Sequence, residues 1–393
     1  MKRILVIGGG KWQVPIIQKV KEMGHYAICS NLYEDSIGFQ FADESFVANV
    51  LDKEKNLEIA DKVKPDGIIT DQSDIAVNTV AYISEKLGLK GVTVDVADLY
   101  TNKLKMREEL NVENLYHPKY KICTTKEECI DFFKKLNQPI IIKPLANQSS
   151  RGVYKIDTIE EIEKKFQITM ECSINNVILA EEYIEGCEFT AEGFKAEDKH
   201  YTLAISKKSH YENLPAVAKS LIYLNDFKEF QRETLEEINN NLFDRLKFGI
   251  THVEYKYYNN KFYLIEAAIR GGGTKISSHI IPMVSGVNVN ELLIKSVLDQ
   301  DIFNIDINNK RNCAILKFFD FEVGTVSKIN GLEYLKNNKF IIDFDFEFKE
   351  GDIIIAPNDD RSRVGYFIAC AENEDKLMQI VSEVDKKVYL NYV

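Results

Sequence analysis

Zinc-type cysteine spacing, membrane-length apolar runs and an excess of basic residues are all missing from this 393-residue sequence. Its seven cysteines, Cys29, Cys123, Cys129, Cys172, Cys187, Cys313 and Cys370, form no CxxC pair. That excludes a zinc ribbon or finger and leaves no disulfide framework to read, so they are expected to be reduced, in a cytoplasmic chain. No apolar run approaches the ~20 residues of a membrane helix, so no membrane partner is expected. The opening MKRILVIGGG reads as a first strand rather than a secretory signal. With 50 Lys and Arg against 61 Asp and Glu, the net charge of −11 has the wrong sign for non-specific hold on nucleic acid or anionic lipid. Any phosphate this chain binds must be held by local lysines, backbone amides and metal.

What is present is the composition of a globular enzyme, 45% apolar and 28% charged, with room for two or three domains. Residues 3–7 form a short apolar run, Gly8-Gly9-Gly10 a turn, and Val14, Ile17, Val20 and Met23 recur at near-helical spacing before Gly24. Strand patterns follow at 26–30, 66–70 and 91–94, with a helix over 74–87. Alternating β and α with short connections predicts a mostly parallel sheet. After Gly8 and Gly10 a dinucleotide fingerprint needs a small third residue where Gln13 stands, and no acid ends the second strand. A helix N-terminus behind flexible glycines still suits an anion, so Gly10 and Gln13 are candidate substrate contacts, against a plain tight turn.

Residues 98–110 read as a charged helix carrying Lys103. QPIIIKPL, 138–145, is a β-branched run in which Lys143 must be nearly buried, and a lysine there wants an anion. NQSSRGV, 147–153, is a polar loop able to fold over phosphates. A helix begins at Thr158, and NVILAEEYIEGCEFT, 176–190, is a strand, a hinge and Glu188 beyond Gly186.

HVEYKYYNNKFYLIEAAIRGGG, 252–273, reads as a hairpin with an Asn259-Asn260 tip. Glu254 lies in its first strand and Glu266 interrupts the apolar run of the second, where an unpaired charge is costly. A divalent cation, or an ordinary Glu266–Arg270 salt bridge with Glu254 in solvent, would answer that cost. A strict two-residue turn places Glu254 opposite Ile265 and sends Glu266 to the other face. Sharing a metal therefore predicts an odd-length loop or a bulge near 259–261. Beyond it, Gly272 lets a substrate approach the backbone, and Ser277 and His279 lie beside a probable helix start. His279 and His210 are each readable as a proton carrier or as a structural residue. From Arg311 the chain turns strand-rich and closes with a helix over 374–388.

Lys103, Lys143, the NQSSRGV loop, AEEYIEGCEFT, Glu254, Glu266 and Arg270, in that order and at those intervals, resemble the ATP-grasp superfamily over essentially the whole chain. GGGKWQVPIIQKVKEMGH resembles the N-terminal domain of the carbamoyl-phosphate-synthase-like and purine-pathway members, and NDDRSRVGYFIACAENED their small C-terminal β-rich domain. The resemblance implies an α/β fold with an N-terminal open parallel sheet (1–94), a two-part α+β ATP-grasp core (95–300) and a C-terminal β-rich domain (301–393). It implies ATP held by Lys103 and Lys143, by a phosphate loop with Ser149, Ser150, Arg151 and Gly152, and by Glu181, the backbone at Glu182, Tyr183 and Ile184, and Glu188 on the ribose. Glu254 and Glu266 then hold two Mg²⁺, with Mn²⁺ as an alternative, and Arg270 steadies the phosphoryl group and the reacting carboxylate. Two departures stand out: Ala268 where many relatives carry a third, asparagine ligand, and a glycine-poor phosphate loop.

The implied reaction is ATP-dependent ligation of a small carboxylate to an amine through an acyl phosphate, releasing ADP and phosphate, with Lys143 and Arg270 as the catalytic residues. The alternatives are a purine-pathway ribonucleotide carboxylase or formyltransferase-like enzyme and a catalytically silent nucleotide-binding module. Small molecules are the expected partners, with room for a homodimer and none for nucleic acid.

Overall fold

The computed structural model of the chain describes residues 1–145, 151–173, 176–212, 214–300, 305 and 312–393. Strands Glu44–Val47, Tyr26–Asn31, Arg3–Ile7 and Gly67–Ile69 lie in that order in one parallel sheet. Its central strand is apolar on both faces because helices cover both. Ile4 and Val6 pack with Ile16, Ile17 and Val20 of helix Val14–Glu22, while Leu5 and Ile7 pack with Ile59, Ala60, Ala76 and Ile83 of helices Lys53–Val63 and Asp74–Leu87. Strand Glu44–Val47 and helix Lys53–Val63 are additions to the sequence reading.

Residues 91–94 are not a strand. Thr93 accepts a hydrogen bond from the Val96 N–H and caps a helix, Val94–Leu99, so cap chemistry overrides the β-branched run. The helix expected over 98–110 is likewise divided. Asn102 accepts from the Leu104 and Lys105 N–H groups and starts a separate helix, Lys103–Glu109, with Lys103 at its first position.

A second, antiparallel sheet runs Tyr120–Cys123, Ile178–Glu182, Ile140–Pro144, Tyr154–Ile156. Helices Lys126–Leu136 and Ile159–Glu171, each opened by a capping box, cover one face through Ile140, Ile142, Ile178 and Ala180. Strand alternation therefore sends Ile141, Lys143 and Glu181 to the other face.

Among the described residues the third sheet has nine strands, in the order Ile341–Phe346, Gly365–Ala371, Cys313–Phe318, Leu214–Tyr223, Lys199–Tyr211, Cys187–Ala196, Phe248–Tyr258, Lys261–Ala268, Leu115–Tyr116. It continues past residue 300, so C-terminal strands extend the same hydrogen-bonded ladder as the hairpin. Helix Glu374–Lys387 packs on it, and the last strand, Tyr389–Tyr392, joins Gly324–Asn330 and Ile353–Ile354 in a three-stranded sheet. All seven cysteines are free thiols. Among the described residues no single helix is long and apolar enough to cross a membrane.

Candidate active site

The hairpin turns on Asn259 and Asn260, both in the left-handed region at φ 49° and 58°, between the facing residues Tyr258 and Lys261. Two such residues make a tight turn whose twist matches the strands. The tip therefore has no residue to spare, and the expected irregularity near 259–261 is not there. It lies nearer the acids: Tyr255 faces Leu264, Glu254 faces Glu266, and Ile265 is the extra residue of a bulge. The two carboxylates consequently share a face. Ala268 stands opposite His252.

Each acid already has a cationic partner. Lys208 Nζ lies 2.9 Å from Glu254 and 2.7 Å from Glu188, and Lys103 Nζ lies 3.4 Å from Glu266. Arg270 does not take Glu266. Its Nε and Nη2 donate to the two oxygens of Asp74, both at 2.7 Å, and its Nη1 to the Gly271 carbonyl at 3.0 Å. Burial alone would raise the pKa values of Glu188 and Glu254, but the cations prevail. Glu188 is brought down to about 2, chiefly by Lys208 with His210 beside it, and Glu254 falls well below its ordinary value through Lys208 and His252.

His252 is the reverse case. Burial pulls its pKa down, but Glu192 at 2.8 Å and Glu254 at 3.5 Å carry it up to about 9. A raised folded-state pKa contributes stability that is whole below the unfolded value of 6.5 and is lost as pH rises through 9. We expect the stability difference between the wild type and His252→Gln, by urea unfolding, to decline by at most roughly 3 kcal/mol between those pH values. A difference flat across that window would contradict the imidazolium.

On the neighbouring sheet, Lys143 Nζ lies 2.5 Å from Glu181, whose other oxygen accepts from Arg107 Nε at 2.8 Å. Burial raises the Glu181 pKa, and the two cations overcome it and hold it at about 2. Burial lowers the Lys143 pKa, with Glu181 opposing. Glu182 accepts from Gln138 Nε2 at 2.8 Å and from the Lys119 N–H at 3.2 Å, and the Tyr183 N–H donates to the Pro139 carbonyl.

A cavity of about 710 Å³ joins these parts. Lys103, Lys143, Glu181, Glu182, Tyr183 and Ile184 line it, and so do Glu188, His210, Glu254, Glu266 and Arg270. Other candidates stand elsewhere. Gln13 is buried, its Oε1 accepting from the Gly10 N–H at 3.1 Å and its Nε2 donating to the Asp71 carbonyl at 2.8 Å. Ser277 is buried too, donating to Asp71 at 2.6 Å. His279 meets Ser278 and lines a separate groove. Gly272 backs the Glu192–His252 pair, where a Cβ would come within 3.1 Å of His252 Nδ1. Arg151 is exposed, and Gly152, at φ 69°, packs on Cys172. Ser149 and Ser150 lie outside the described residues.

Sequence reasoning missed Lys208, His252, Asp74 and Arg107. The last carried a signal, since it lies one helical turn beyond Lys103 and so on the same face.

Residues 136–278 match the family described as an ATP-grasp domain, and residues 317–393 the L-amino acid ligase C-terminal domain 2. The L-arginine-specific L-amino acid ligase of Bacillus subtilis is 23% identical over 417 aligned positions, covering 100% of this chain and 98% of that protein. The formate-dependent phosphoribosylglycinamide formyltransferase of Methanocaldococcus jannaschii is 27% identical over 187, covering 46% of this chain; the chain spans about half of that protein, 48%. Among solved structures, the L-amino acid ligase of Bacillus licheniformis superposes with a TM-score of 0.86 at 21% identity, covering 100% of this chain and 99% of that one. The chain therefore carries an ATP-grasp domain followed by an L-amino acid ligase C-terminal domain.

Proposed function

We propose that this chain is an ADP-forming carboxylate–amine ligase of the cytoplasm, with the nucleotide held by residues 95–300 between the N-terminal sheet and the C-terminal strands. The observation that carries this reading is the opposition of Glu254 and Glu266 across one hairpin, on the same cavity as Lys103, Lys143 and Arg270. Two carboxylates on one face, each now balanced by an ammonium group, are an oxygen donor set that fits Mg²⁺, which completes its shell with water and phosphate oxygens. Glu254 and Glu266 would hold it, and we assign two such ions, Mn²⁺ being an alternative. Bound there, the metal supplies positive charge against the phosphates.

A carboxylate is a poor electrophile until its oxygen becomes a phosphate leaving group, so the work is positioning and electrostatics. In our reading Lys103 and Lys143 face the phosphates, and Glu181 holds the Lys143 ammonium in place. The backbone from Glu182 to Ile184 meets the base and Glu188 the ribose hydroxyls. Asp74 locks the Arg270 guanidinium, which then presents its remaining N–H groups to the substrate carboxylate. The end-to-end similarity to an L-amino acid ligase favours an amino acid as that carboxylate. A ribonucleotide substrate is disfavoured because the turn that would cradle its phosphate is filled by the Gln13 amide.

The test is ADP and phosphate release from Mg-ATP against pools of amino acids and small carboxylates, with AMP assayed alongside. Stoichiometric, substrate-dependent ADP and phosphate is expected. AMP and pyrophosphate would mean adenylation and sink the mechanism.

A further inference from the structure

Arg107 has no part in the roles above, and its side chain is wholly buried. A guanidinium taken from water is costly unless matched. Nε is matched by Glu181, and Nη2 donates to the Ile265 carbonyl at 2.7 Å, while Nη1 is buried with no hydrogen-bond partner among the described residues. Ile265 is the extra residue of the bulge, where the ladder is interrupted and a peptide group is left to find another partner. Left unpaired and buried, such a group carries its full desolvation cost; the guanidinium supplies a charge-assisted donor instead. The Asn259-Asn260 turn by itself dictates the register that separates the two acids. Four residues earlier on the same helix, Lys103 meets Glu266. One helical face thus grips residues 265 and 266 together.

We propose that Arg107 is a positioning residue: it holds the Ile265 bulge, keeps Glu254 and Glu266 on one face, and ties their alignment to the Glu181 carboxylate at the base end of the cavity. This rests on the reading of Glu254 and Glu266 as metal acids, so the test separates the two ideas.

Mn²⁺ binding to the full chain with ADP, followed by electron paramagnetic resonance, reports the acids without turnover, and ADP binding in EDTA reports the nucleotide site alone. Lysine keeps a charge beside Glu181 but lacks the fork that serves two acceptors. Arg107→Lys is expected to raise the Mn²⁺ half-saturation about tenfold or more, with ADP affinity in EDTA within about threefold of wild type. Deleting Ile265 removes the extra residue and leaves Glu266 opposite Glu254 in a regular ladder, so Mn²⁺ binding in that background is expected not to respond to Arg107→Lys. Wild-type Mn²⁺ binding in Arg107→Lys, with Glu266→Gln still abolishing it, overturns the role of Arg107, and so does a loss in Arg107→Lys that deletion of Ile265 leaves undiminished. Equal losses of Mn²⁺ and ADP affinity in Arg107→Lys also overturn it. Wild-type Mn²⁺ binding in Glu266→Gln overturns the metal reading itself.

Discussion

Replacing Glu266 by glutamine is expected to cut turnover at saturating Mg-ATP by about 10³-fold or more. Glutamine has the same shape and can keep the Glu254-facing position in the ladder, so the hairpin should persist. What disappears is one of two negative charges at the site where Mg²⁺ is proposed, and with it one partner of Lys103, at 3.4 Å. The melting temperature should stay within about 3 °C of wild type, because a partly exposed surface-to-cavity charge contributes little to folding. Unchanged activity would remove Glu266 from the chemistry, whereas a fall matched by unfolding would show only a structural loss. Measuring kcat, KM for ATP and thermal unfolding on one preparation separates these.

Arg270→Lys should cost about 10²- to 10³-fold in kcat while ATP affinity stays within about threefold. The native guanidinium is committed on three sides, to both oxygens of Asp74 and to the Gly271 carbonyl. That commitment fixes the plane in which its other N–H groups point. An ammonium cannot reproduce a bidentate pair and a directed third bond at once, so the charge would survive and its direction would not. Asp74→Asn keeps the size and loses the charge, and a smaller kcat loss of about tenfold is expected, since asparagine still accepts one of the two bonds. If both variants changed KM for the carboxylate and left kcat alone, Arg270 would be a binding residue without a part in the transition state.

The local part of this molecule could be read from its residues. The parallel N-terminal sheet follows from short apolar strands between amphipathic helices, and the burial of Lys143 follows from a lysine inside a β-branched run, where alternation leaves no exposed face. The Thr158 cap and the Asn259-Asn260 turn are chemistry confined to a few residues. The same confinement explains the misreading of 91–94, where strand propensity and the Thr93 cap competed and the cap prevailed.

Partners of the charged groups were another matter. Glu254 with Lys208, Arg270 with Asp74 and Ile265 with Arg107 are separated by 46, 196 and 158 residues, and no periodicity spans such distances. The bulge is the sharpest instance: two acids sharing a metal called for an odd-length loop or a bulge near 259–261, but the extra residue is Ile265, where a guanidinium on a distant helix meets the displaced carbonyl. Sequence alone determined which residue types were available and which face of each element they occupied. Tertiary structure decided which of them meet, because an ion pair or a ladder register is stabilised only where elements remote in the chain are packed side by side.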